Sequence, residues 1–310
     1  MASFRRGQTG CVIEGVIPIL PTPFTEDGEI DMSSFLGAVE VAVRYKANGV
    51  AMFGMASEYY KLSDAERFQC TAALIQQVAG RIPAIISIVA HSTEVAIKNA
   101  KFAEKEGADA IMVLPPFFLI PEADSVRRHV LEVASVVSLP VILQYAPAQT
   151  GYPIAADSFA QLLEDAPNIA CIKVDQVPAG PMVGELQGLG VDSIVGYMGI
   201  DLPHDYGCGA VGVMPTVSVV PAFVEIWKLL MGGDHRALVL HETVLPLLKF
   251  MMRSIEFLIA SEKQLLEDRG VIRSKYCRRP SYTLNVTEQA ELVEYASGVA
   301  PWLVKGNEKI

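Results

Sequence analysis

The chain has 310 residues, 51% hydrophobic and 19% charged, which supplies a large apolar core and excludes extended disorder. Asp and Glu number 35 against 25 Lys and Arg, a net charge of -10 with no basic run to track phosphates, so nucleic acid is excluded as a partner. The five cysteines (Cys11, Cys70, Cys171, Cys208, Cys277) form no C-x-x-C pair, which argues against a disulfide framework or structural zinc and for reduced thiols in the cytoplasm. Met1 to Cys11 carries Arg5 and Arg6 but no apolar run after them, unlike a secretory signal. The longest apolar stretch, Val217 to Met231, is interrupted by Pro221, Glu225 and Lys228 and reads as a buried helix, so no membrane span is expected.

In chain order, a strand at Gly15 to Leu20 leads to a helix at Met32 to Ala47 behind the N-cap Asp31. A strand at Gly49 to Phe53 precedes a helix at Asp64 to Val78 capped by Ser63, and one at Ala84 to Val89 precedes a helix at Thr93 to Glu106 capped by Ser92. Ala108 to Leu114, Asp124 to Val137, Val141 to Gln144, Ala156 to Glu164 and Ala170 to Val174 continue the alternation. Ser193 to Gly196 is followed by a stunted helix near Leu202 to Tyr206, and Ala210 to Met214 by a helix at Pro221 to Met231. The strands are almost continuously apolar, as strands buried on both faces of a parallel sheet must be. Ala237 to Ile259, Ser261 to Glu267 and Glu288 to Ala296 then read as helices. The pattern predicts an α/β fold, a (β/α)8 TIM barrel over 1–231 with a C-terminal helical extension over 232–310 packed on it.

Barrel chemistry sits at the C-terminal ends of the strands, where one residue stands out. Lys173, in Asn168-Ile-Ala-Cys-Ile-Lys-Val-Asp175, is a cation near the end of an apolar strand. Two readings stand: a lysine snorkelling to solvent at the rim, or a Schiff-base lysine whose amine must be neutral to attack a carbonyl. A free lysine has a pKa of about 10.4, and a packed interior favours the uncharged amine by desolvation. Strand alternation puts Cys171, Lys173 and Asp175 on one face. An ionised Asp175 would favour the ammonium instead, so the pair is expected to titrate together, unless Asp175 only begins the turn before Pro178.

With that lysine placed, the chain resembles the dihydrodipicolinate synthase and N-acetylneuraminate lyase family over about 270 residues. The resemblance rests on Gly15-Val16-Ile17-Pro18, Thr22-Pro23-Phe24, Gly80-Arg81-Ile82-Pro83, Gly107-Ala108-Asp109-Ala110, Pro147 with Thr150-Gly151, Ile172-Lys173, Gly209-Ala210-Val211-Gly212-Val213 and Arg279-Pro280. It implies a Schiff base between Lys173 and a 2-keto acid, no cofactor, no metal, and a homo-oligomer, a dimer or tetramer. In place of the family's carboxylate loop the chain reads Gly54-Met-Ala-Ser-Glu58, leaving Ala56, Ser57 and Glu58 as substrate-binding candidates through main-chain N–H groups and the Ser57 hydroxyl, with Glu58 the more structural of the three. The family's proton-relay tyrosine matches Gln144, next to Tyr145; its subunit-lent tyrosine matches Phe118; its dicarboxylate-binding arginine matches Gln149; and Met214 matches a position whose carbonyl lines the site. An amide cannot relay a proton as a phenol does, and the missing arginine removes the cation suited to a dicarboxylate.

These departures, with Gly54-x-x-Ser57-Glu58, Leu143-Gln144-x-Ala146-Pro147 and an acid two residues beyond the lysine, are similar to the L-2-keto-3-deoxyarabonate dehydratase branch. The expected function is therefore a class I lyase, a dehydratase or aldolase of a 2-keto-3-deoxy sugar acid, with Lys173, Asp175, Gln144 and Tyr145 as its catalytic set. Three alternatives stay open: a 4-hydroxy-tetrahydrodipicolinate synthase with an atypical site, a keto-acid-binding barrel without activity, and a phosphosugar isomerase using Gly207, Gly209 and Gly212. His91, His129, His204, His235 and His241 lack any ligand spacing.

Overall fold

The computed structural model describes residues 13–151 and 154–306; the Met1 to Cys11 segment and its cysteine lie outside the described residues. Strands and helices alternate along the chain. The strands are β1 (Gly15–Val16), β2 (Val50–Met52), β3 (Ala84–Val89), β4 (Ala110–Leu114), β5 (Val141–Tyr145), β6 (Ile169–Val174), β7 (Ser193–Val195) and β8 (Gly212–Val213). The helices are α1 (Met32–Arg44), α2 (Asp64–Val78), α3 (Thr93–Glu106), α4 (Ala123–Ser135), α5 (Pro147–Thr150), α6 (Ala156–Asp165), α7 (Gly180–Gly188), α8 (Leu202–Gly207), α9 (Val220–Met231), α10 (Arg236–Met251), α11 (Ile255–Asp268) and α12 (Val286–Gly298). No helix among the described residues is long and apolar enough to cross a membrane. The contacts gather into two compact units, one over 83–213 and one joining 15–82 to 214–306.

In the 83–213 unit, β3 to β8 pair in chain order, all parallel: Ile85 lies opposite Ala110, Met112 opposite Ile142, Gln144 opposite Lys173, Lys173 opposite Ile194 and Val195 opposite Val213. Every residue of β3, β4 and β5 is buried, which is why these strands carry no polar alternation. Parallel neighbours need crossovers, and helices supply them. α3 stops at Gly107, whose φ of 101° is the left-handed cap that a glycine adopts without strain. Ser92 makes no capping bond to α3, contrary to expectation; its hydroxyl donates to Glu94 instead, 2.5 Å away.

In the other unit, Ile19 bridges in parallel to Ala51 and to Thr216. Asp31 caps α1 by accepting from Ser34, and α1 ends at Arg44 rather than Ala47; Asn48 instead uses its side chain to accept from the Val16 N–H at 2.9 Å. Ser63 and Glu66 close α2 with a reciprocal capping box. The stretch predicted as one helix over 237–259 is broken between Met251 and Ile255, where Ser254 accepts from Phe257 and starts a new helix. That new helix, α11, is buried without interruption from Phe257 to Leu266. Its charged residues Glu262 and Lys263 therefore sit in the interior of the unit, where a charge persists only with partners.

Candidate active site

Lys173 sits near the end of β6, 5% exposed, so its amine does not snorkel to solvent. Nζ lies 2.5 Å from Oδ2 of Asp175, two residues on and therefore on the same face of the strand. Gln144, directly across the ladder on β5, donates from Nε2 to the same oxygen at 2.6 Å. Oδ2 thus accepts from both neighbours, while Oδ1 makes no hydrogen bond among the described residues. The Asp175 backbone is fixed as well, its N–H donating to Tyr145 O at 2.7 Å, so β5 holds both ends of the residue.

Cys171 shares this face, two residues before Lys173. Burial pushes its thiol well above the usual cysteine range, which leaves it a packing group rather than a nucleophile. Tyr145 is one residue beyond Gln144, and the strand alternation turns it the other way. Its ring packs edge-on against Phe159 of α6 with centroids 5.3 Å apart, and its hydroxyl accepts from Ile154 N–H, so it is not among the groups gathered at Lys173.

Gly196 joins the site without having been singled out among its candidates. It follows β7, and a Cβ there would fall 1.6 Å from Asp175 Oδ1, 2.8 Å from its Cγ and 3.3 Å from Lys173 Nζ. The missing side chain is the space that Asp175 occupies. Gly196→Ala is expected to drive the carboxylate off the lysine and lower turnover by roughly 100-fold, the cost of misplacing a catalytic group by about 1 Å. Steady-state rates beside a circular-dichroism spectrum of the variant check this; unchanged rates would remove Asp175 from the chemistry.

The Gly54-Met-Ala-Ser-Glu58 segment, in the other unit, forms a single tight turn at Met55–Ser57. Ser57 is fully buried: its hydroxyl donates to Leu20 O at 2.6 Å and accepts from Phe53 N–H at 3.1 Å. Its own N–H is taken by Gly54 O, and that of Glu58 by Met55 O, so Ala56 keeps the one N–H of the three without an acceptor among the described residues. Glu58 is left-handed at φ 54° and wholly buried between two cations, Lys61 at 3.1 Å and Lys263 of α11. Burial pushes the Lys263 ammonium below the usual lysine range while Glu58 pulls it back, and the amine also donates to Tyr276 O at 3.0 Å and lies over the Phe24 ring. The adjoining Glu262 is held by the Thr216 hydroxyl at 2.7 Å, the Ser218 N–H at 2.9 Å and the Ser218 hydroxyl; burial raises its carboxyl above the usual range. Met214, buried, follows β8 directly.

Glu58 is thus the centre of a buried ionic cluster. Glu58→Gln should strand Lys263 without its carboxylate and cost about 3–5 kcal/mol of stability, read as a lowered denaturant midpoint. The double change Glu58→Gln with Lys263→Met should recover most of that loss, because the orphaned charge is gone.

The described residues contain no cluster of three or more His, Cys, Asp or Glu within reach of one metal ion. What gathers at the end of β6 is an amine, a carboxylate and an amide, the components of carbonyl chemistry.

Residues 12–298 match the dihydrodipicolinate synthetase family. The chain is 29% identical over 302 residues to the L-2-keto-3-deoxyarabonate dehydratase of Azospirillum brasilense, covering 94% of this chain and 96% of that protein. It is 31% identical over 245 residues to the 4-hydroxy-tetrahydrodipicolinate synthase of Methanopyrus kandleri, covering 77% and 81%. Among solved structures, it superposes on the 4-hydroxy-tetrahydrodipicolinate synthase of Methylacidiphilum fumariolicum SolV with a TM-score of 0.87 at 24% identity, covering 94% of this chain and 97% of that one. A prophage protein of the dihydrodipicolinic acid synthase family from E. coli K12, solved in complex with pyruvate, also gives 0.87, at 22% identity over 94% and 99%. With the TIM-barrel fold of these structures and a match that spans nearly its whole length, the chain belongs to the dihydrodipicolinate synthetase family of lyases.

Proposed function

We propose that this protein is a class I lyase that forms a Schiff base between Lys173 and a 2-keto-3-deoxy sugar acid and eliminates water from it. The observation that carries the reading is the Lys173 amine, buried on β6 and 2.5 Å from a carboxylate that has a second donor of its own. Asp175 takes the ammonium proton, and Nζ then attacks C2 of the keto acid. The carbinolamine hydroxyl leaves as water with that proton, returned by Asp175, to give an iminium, which acidifies the C3 hydrogens. Asp175 Oδ1, which makes no hydrogen bond of its own, is the oxygen placed to take the C3 proton, while Gln144 holds Oδ2 in position. The resulting enamine expels the C4 hydroxyl, which leaves as water with the proton Asp175 took from C3, and hydrolysis of the new iminium frees the lysine.

Within the Met55–Ser57 turn, the Ala56 N–H is the donor that the turn does not use. Glu58 and Ser57 then serve to hold the turn's shape. Phe118, Leu119 and Ile120, 67%, 86% and 66% exposed, form an apolar tip after β4 in which Leu119 and Ile120 are both left-handed; this supports a homo-oligomer that covers the tip. Residues 232–310 are read as the helical extension of a barrel over 1–231.

The test is borohydride reduction in the presence of pyruvate or of a 2-keto-3-deoxy sugar acid, followed by peptide mass mapping. A reduced adduct on the peptide holding Lys173 is expected. An adduct on another lysine, or none, refutes the reading. A tetrahydrodipicolinate synthase activity is disfavoured by Gln149, which offers no charge to a second carboxylate.

A further inference from the structure

We propose that Gln149 and Tyr197 form an uncharged subsite for a hydroxyl on the tail of the keto acid, a step that rests on the Schiff-base reading of Lys173. Tyr197 directly follows Gly196, whose missing side chain adjoins Lys173 Nζ and Asp175. Tyr197, Met198 and Gly199 have φ values of 47°, 57° and 61°, three left-handed residues in succession of which only the last is a glycine. Bulky residues adopt that conformation only under strain, and such strain concentrates where a side chain must be aimed. Here it carries the Tyr197 phenol to Gln149 on α5, whose Nε2 donates to the phenol oxygen at 3.2 Å.

The bonding capacity left over identifies the ligand. Gln149 Oε1 is buried without a hydrogen-bond partner among the described residues. The Tyr197 oxygen accepts from Gln149, so its own proton is left to donate. Turning the amide over exchanges the atoms but still leaves one end of it unpartnered. The pair therefore presents one acceptor and one donor side by side with no charge. An alcohol, itself one donor and one acceptor, satisfies both. A carboxylate supplies only acceptors, would face Oε1 lone pair to lone pair, and would find no cation. The subsite thus selects a hydroxylated tail over a second carboxylate.

The experiment compares 2-keto-3-deoxypentonate with 2-oxopentanoate, which has the same five-carbon chain without the hydroxyls. The readout is the concentration giving half-maximal borohydride trapping on Lys173 in the wild type, Tyr197→Phe and Gln149→Leu. In each variant that concentration should rise roughly tenfold or more for the hydroxylated acid and several-fold less for 2-oxopentanoate, erasing the wild type's preference. If the two acids weaken in parallel, or the preference survives both substitutions, the subsite is refuted while the Schiff-base reading stands. If the wild type traps neither acid, the lysine assignment fails and the subsite falls with it.

Discussion

Lys173→Met is expected to abolish the borohydride-trapped adduct and to lower turnover by at least about 10⁴-fold, since no other group in the site can form the covalent intermediate that splits the reaction into easier steps. Methionine fills the space of the lysine stem without its charge. The substitution leaves Asp175 buried with only the Gln144 amide to donate to it, so some stability goes too, by an amount a denaturant midpoint reads. The double variant Lys173→Met, Asp175→Asn removes that orphaned charge and should regain stability while staying inactive. An active Lys173→Met protein, or an adduct that survives in it, would end the covalent mechanism.

Asp175→Asn should separate the two halves of the chemistry. The amide keeps the shape of the carboxylate but cannot take a proton from C3, and losing a positioned base costs roughly 10²–10⁴-fold in rate. Adduct formation with pyruvate on Lys173 should still be reached, only more slowly, because the amine remains but has lost the group that takes its ammonium proton. The signature is therefore a trapped but unproductive enzyme, measured by mass mapping beside steady-state rates. Turnover close to wild type would remove Asp175 from its role as base and redirect attention to water or to substrate-derived groups.

Where local chemistry is strong, the fold was legible from residues alone. The Ser63 cap starts α2 at Asp64, the Gly107 stop ends α3 at Glu106, and the apolar run of β3, interrupted only by Ser87, matches Ala84–Val89. Elements held by packing were not. α7 reads Gly-Pro-Met-Val-Gly-Glu-Leu-Gln-Gly, three glycines in nine residues, too weak a helix former to have been assigned a range. Pro246, a natural breaker, lies inside α10, whereas the real break comes before Ser254, whose hydroxyl accepts from the Phe257 N–H.

The site divides the same way. Period-2 alternation from Lys173 finds Asp175, and the family resemblance finds Gln144, because both signals are local or positional. Tyr145 was grouped with them by adjacency, although the alternation that joins Lys173 to Asp175 turns Tyr145 towards Phe159. Gly196 leaves no mark in a sequence, since its contribution is an absence. Lys263 and Glu262 sit in a helix that reads as amphipathic, and only tertiary burial reveals that Glu58, 205 positions earlier, needs the lysine as its partner.

That separation orders events at the ribosome. The turn at Met55–Ser57 emerges early, but the cation that neutralises its neighbour Glu58 is translated some two hundred codons later, on α11. A nascent chain that has released residues 15–82 therefore holds a carboxylate with half of its counter-charge and an interior with no central helix. It must wait, exposed to chaperones and proteases, for seconds to tens of seconds at ordinary elongation speeds. The stretch over 83–213, translated without interruption, is under no such delay.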